Sequence, residues 1–101
     1  MFKLHDMVTW KFIHRGYPKN RLGEIVYIVP VMESYLLHEK VLMKQEKFAS
    51  KCSGGIPRDY ISYIVAVQEF QRNGLPRRSR HLYWPKVSLL EKVEDVSLFN
   101  N

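Results

Sequence analysis

Residues 7–13 (MVTWKFI) alternate, with Val8, Trp10 and Phe12 on one side and Thr9 and Lys11 on the other. A period of two in residues that favour β structure predicts a half-buried strand. RGYPKNR (15–21) follows, with Gly16, Pro18 and Asn20 as turn residues. LGEIVYIVPV (22–31) is then a near-continuous apolar run and predicts a second strand. Pro30, which has no N–H to donate, is expected to end its ladder, and Gly23 marks a bulge or the close approach of another backbone.

From Ser34 to Lys51 the pattern changes. SYLLHEKVLMKQEKFASK is rich in residues that favour a helix, with Ser34 as N-cap and Gly54-Gly55 as the stop. At 100° per residue, Leu37, Val41 and Phe48 form an apolar stripe that Tyr35, Leu42 and Ala49 widen and only His38 and Gln45 interrupt. Glu39, Lys40, Glu46 and Lys47 lie opposite, and Leu36 and Met43 fall among these charges as a candidate secondary partner contact. A pair of strands is the competing reading of this segment. After the turn-rich CSGGIPRD (52–59), YISYIVAVQEF (60–70) is apolar on both alternating faces, which predicts a central strand covered on both sides. Asn73-Gly74 signals a hairpin, HLYW (81–84) the returning strand, Pro85 its end, and VSLLEKV a tight turn with a last short strand. EDVSLFNN is a tail expected to fray.

"HDMVTW", a basic turn and "LGEIVYIV" resemble the opening hairpin of SH3-like small barrels of the KOW and Tudor kind. "YIVAV", a hairpin loop, "HLYWP" and "VSLLEKV" resemble their third and fourth strands, one-turn 3₁₀ element and closing strand. His5 stands where such domains usually carry glycine. The resemblance implies a mainly β, five-stranded SH3-like barrel over residues 1–101, with residues 32–58 as a helical insertion (helix about 34–51), and a binding role. Independently of it, five short strands gain by curling, because bare sheet edges invite aggregation. The expected barrel interior is Val8, Trp10, Phe12, Ile25, Ile28, Ile64 or its neighbour, Leu82, Val87 and Leu90.

The 101 residues are enough for one domain, and at 46% apolar content disorder is not expected. No apolar run approaches a membrane span, the N-terminus lacks the continuous apolar stretch of a secretory signal, and the single Cys52 forms no internal disulfide; a cytoplasmic protein with no membrane partner is expected. The net charge of +6 is concentrated. Segment 72–80 holds Arg72, Arg77, Arg78 and Arg80, and segment 15–21 holds Arg15, Lys19 and Arg21, with no acid in either. These are seven of the sixteen basic residues, leaving nine against ten acids elsewhere. Charge gathered in this way points to an anionic partner.

Little else suggests chemistry. His5, His14, His38, His81 and Cys52 show no catalytic or metal-binding spacing, and Asp6, Glu24, Glu33, Asp59 and Glu69 show no pairing. No enzyme activity, small-molecule substrate, metal or cofactor is expected. The expectation is a non-catalytic module that binds nucleic acid or a nucleoprotein complex through Arg15, Tyr17, Lys19, Arg21, Arg72, Arg77, Arg78 and Arg80. Arginine forks suit phosphate, and exposed tyrosines (Tyr17, and Tyr83 if it is not core) suit base stacking. The alternative is a protein-interaction module, an adaptor, assembly subunit or inhibitor, that docks on an acidic protein surface.

Overall fold

Alternation at both ends of a two-residue turn builds the first hairpin. In a computed structural model, which describes residues 1–45, 49–50 and 55–94, β1 (Met7–His14) pairs antiparallel with β2 (Tyr17–Val29) from Met7↔Glu24 to His14↔Tyr17. Arg15 and Gly16 at the tip have φ of 51° and 82°. Positive φ at both central residues is the tight turn whose twist matches that of the flanking strands. The second strand therefore starts at Tyr17 rather than Leu22. Pro18 is tolerated because this half of β2 pairs on one side only.

The chain continues through α1 (Leu36–Gln45), β3 (Ala49–Ser50), β4 (Ser62–Val67), β5 (His81–Tyr83), a 3₁₀ turn (Val87–Leu89) and β6 (Glu91–Lys92). Pro30 and Pro85 fall just past β2 and β5, as their missing N–H groups require. The sheet order is β3-β5-β4-β2-β1-β6. Five of these strands run antiparallel to their neighbours, and β3 adds a two-residue parallel pairing on the outer side of β5. The expected closed barrel is not formed, since β3 and β6 are the two edges of the sheet and no ladder among the described residues joins them. Gly23 marks a close approach, as expected: a Cβ there would lie 2.6 Å from Val65 Cγ1 and 2.7 Å from the Ala66 carbonyl oxygen. The ladder with β4 is irregular a few residues later, between Ile25 and Tyr27.

All six residues of β4 are buried, so the strand is covered on both faces. Ile64 and Ala66 join Val29, Leu82 and Trp84 under Leu42 of α1 and Tyr35, the residue just before it. Tyr63, Val65 and Val67 point the other way and join Val8, Trp10, Ile25 and Leu90, with Ile28 and Val87 packed at the margin. Strand parity thus moves Leu82 out of the expected barrel interior and onto the helix side. It decides between Ile64 and its neighbours, since Tyr63 and Val65 join Val8 and Trp10 while Ile64 faces the helix. Phe12 is also not interior; it is only half-buried and belongs to neither cluster. The one fully buried polar side chain among the described residues, Ser62, accepts a 2.8 Å hydrogen bond from the Trp84 indole N–H.

The insertion differs from expectation in length and in facing. The helix is shorter than 34–51, and Ala49 and Ser50 belong to a strand; Glu46, Lys47, Phe48, Cys52, Gly54 and the tail from Asp95 lie outside the described residues. Ser34 Oγ accepts from the Leu36 N–H at 3.3 Å, as an N-cap does. Leu37 and Val41, the expected centre of the buried stripe, are 63% and 56% exposed, while Tyr35 and Leu42 are buried and His38 sits half-buried between them. The aromatic contacts decide the rotation. Tyr35 packs on Trp84 (centroids 5.1 Å apart) and the His38 ring stacks on Tyr27 (4.2 Å), contacts that are made with this face turned inward. Arg58 pins the return of the insertion, donating to the carbonyls of Trp84 (2.9 Å) and Pro85 (2.8 Å) with its guanidinium 3.8 Å from the Trp84 ring centre.

Candidate functional site

Antiparallel pairing brings the two basic segments to one end of the sheet. Between β2 and β4 the ladder runs only from Glu24↔Ala66 to Val29↔Ser62. Residues 17–22 of β2 therefore run on beside the chain that leaves β4, held by β1 alone. The strand ends diverge there, and a cleft of about 580 Å³ opens between them. Phe12, His14, Lys19, Asn20 and Arg21 form one wall, Gln68, Glu69 and Phe70 the other, and Met7, Leu22 and Val67 complete the lining.

The second wall is ordered by its own backbone. Phe70 bridges to Pro76, Gln71 N–H donates to the Leu75 carbonyl (2.8 Å) and Gly74 N–H to that of Gln71 (2.9 Å), so Asn73-Gly74 caps a small secondary hairpin. Arg77 N–H donates to the Glu69 carbonyl (2.9 Å), and the Gln68 amide donates to the carbonyls of Glu69 (2.9 Å) and Arg77 (3.0 Å). Arg72, Arg77 and Arg78 are all exposed on this frame. Across the cleft, Arg15 and Lys19 are exposed and Tyr17 is 72% exposed at the hairpin tip.

Two of the expected contact residues are engaged inside the protein. Arg80 Nη1 donates to Glu24 Oε1 at 2.7 Å, and the other carboxylate oxygen pairs with His5 Nδ1 at 2.6 Å. Burial pushes the Glu24 carboxyl up, but the hydrogen bonds from His5 and Arg80 outweigh it and hold the group below its ordinary value. Arg80 is therefore a structural cation and not a free contact. Arg21 is fixed differently, with its guanidinium 3.7 Å from the centre of the Phe12 ring and 4.3 Å from that of Tyr83. Tyr83 is part of the packing. Its hydroxyl donates to Glu69 Oε1 at 2.8 Å, and burial first, then that bond, push the phenol up to about 12 despite the nearby Arg21 charge. His81 Nδ1 lies 3.6 Å from the same Glu69 oxygen.

Phe12, Phe70, Asn20 and Gln68 are cleft residues that the pattern of the chain did not mark. Strict alternation assigned Phe12 to the interior, and Phe70 read as the last residue of a strand that in fact ends at Val67. The one available signal was an aromatic residue directly before the basic run, in "EFQR". Leu36 and Met43 are exposed, as their position among charges implied, and neither lines the cleft. Among the described residues no group of three His, Cys, Asp or Glu side chains is placed to hold a metal ion, and no helix is long and apolar enough to cross a membrane. No protein family, curated protein or solved structure matches the chain.

Proposed function

We propose that the protein is a non-catalytic binding module of SH3-like build that binds nucleic acid, alone or within a nucleoprotein complex, through the cleft between residues 15–21 and 67–78. One observation carries the reading: Lys19 and Arg21 of one acid-free basic segment line a cleft that also holds two phenylalanines, and the second such segment, 72–80, begins two residues past Phe70 of the facing wall. Cations outside and rings inside are what a sugar-phosphate chain with attached bases requires. The SH3-like part of the reading is supported by the antiparallel order β5-β4-β2-β1-β6, with a 3₁₀ turn before the last strand. It is supported again at His5, whose φ of 71° is the backbone conformation that favours the glycine such domains usually carry. The lone cysteine favours a cytoplasmic setting.

Binding of short oligonucleotides at a series of salt concentrations tests the reading. With Arg15, Lys19, Arg72, Arg77 and Arg78 as the exposed cations, affinity is expected to fall steeply with salt, by about 0.7 log units per log unit of salt for each phosphate contacted on a single strand. Changing Arg72, Arg77 and Arg78 to Ala flattens that slope by about two. Undetectable binding at low salt removes the proposal.

A second reading, docking on an acidic protein surface, is favoured by the solvent face of α1. Leu36, Leu37, Val41 and Met43 are all exposed there, on either side of Lys40 and Lys44.

A further inference from the structure

We infer that the ligand is single-stranded and that one unpaired base enters the cleft to stack on Phe70, with a backbone phosphate against the N–H fork of Arg21. This rests on the nucleic-acid reading above and deepens it. Phe70 is 60% exposed at the cleft wall, and its chain is held by the bridge to Pro76 and, one residue earlier, by the bond from Arg77 N–H to the Glu69 carbonyl. An ordered, exposed ring in a concavity is a stacking platform. A duplex cannot use it, because each paired base already has its faces covered by its neighbours and must be extruded first. A cleft of about 580 Å³ is also of the size that encloses a small ligand, whereas a duplex presents a convex ridge of phosphates.

The charges within the cleft point the same way. Glu69 stands in the wall, a poor neighbour for phosphate but a good acceptor for a donor on a base edge. Gln68 has committed its amide N–H groups to two carbonyls, which leaves its oxygen to accept, and the amide of Asn20 is exposed on the facing wall. Arg21 is held over two rings and carries five N–H donors, of which the Tyr83 hydroxyl engages only part. A guanidinium fixed in this way offers its in-plane fork to phosphate without first losing side-chain freedom.

The test compares fluorescence anisotropy of a short mixed-sequence single strand and of the blunt duplex of the same sequence, at one salt concentration, for the wild type, Phe70→Ala and Phe70→Trp. The single strand is expected to bind about tenfold or more tightly than the duplex. Phe70→Ala is expected to lose about tenfold for the single strand and nothing for the duplex, the scale of one base–aromatic stack. In Phe70→Trp, the added indole fluorescence is quenched by the single strand alone. Equal affinity for both forms, or a Phe70→Ala variant that binds the single strand like wild type, overturns the inference while leaving the nucleic-acid reading in place. Binding of neither form overturns both. Circular dichroism of the variants checks that the exposed substitution leaves the fold intact.

Discussion

The two ends of β4 are surrounded differently. At Ser62–Ile64 the strand is covered by helix residues on one side and by Trp10 and its neighbours on the other, and even its serine is satisfied by a buried indole. At Val67 it parts from β2, and the chain beyond it forms one wall of an open cleft. The covered end is built from apolar contacts and tolerates no vacancy. The open end is built from turns, backbone hydrogen bonds and side-chain cations, and it is where residues are free to meet a partner. Of its seven basic residues, Arg80 is used to tie the loop back to β2 and Arg21 is laid over two rings, while the remaining five are exposed.

The contrast is broken most severely in the core. Leu82→Ala, at a fully buried position, is expected to lower stability by about 2–5 kcal/mol in urea denaturation. Arg77→Ala, exposed at the cleft, is expected to stay within about 0.5 kcal/mol of wild type. Comparable losses in both would mean that the open end is structural after all.

A smaller effect lies at the tie between the two regions. The folded Glu24 carboxyl sits below its ordinary value of 4.5, so its contribution to stability is present above that pH and is lost as pH falls through the folded value. Glu24→Gln is therefore expected to narrow the gap in stability between neutral and acidic solution, and an acid-unfolding curve unchanged by the substitution would contradict the tie. The smallest effect is spectroscopic. Tyr83 is raised from 10 to about 12, so the stability linked to its protonated hydroxyl is complete below pH 10 and lost as pH rises through 12. In the near-ultraviolet phenolate titration, Tyr83→Phe is expected to remove the last step rather than an ordinary one.

The covered end was legible in the sequence because burial leaves a period. YISYIVAV showed both apolar faces of β4, and Gly23 announced the close approach that its missing Cβ permits. Pro30 and Pro85 marked strand ends. The start of β2 was not legible, because Pro18 and Asn20 read with Gly16 as turn residues when only Arg15 and Gly16 make the turn. The facing of the helix was obscured because Leu37 and Val41 weigh as much as Tyr35 in an apolar count, whereas ring contacts with Trp84 and Tyr27 decide the outcome. Closure was overestimated because edge protection argues for curling but does not supply the hydrogen bonds of a closed ladder. At the open end, charge gathered in two segments was visible. The fates of Arg21 and Arg80 depend on partners 56 or more residues away, Glu24 for one and Tyr83 for the other, which local patterning does not contain.

The central claim is that residues 15–21 and 67–78 act as two walls of one binding site. Mapping backbone amide chemical shifts during titration with a short single-stranded oligonucleotide tests it most directly. Shifts are expected together at Lys19–Arg21 on one wall and at Gln68–Phe70 and Arg77 on the other, with the amides of α1 unmoved. Shifts confined to one wall, or centred on α1, would contradict the account.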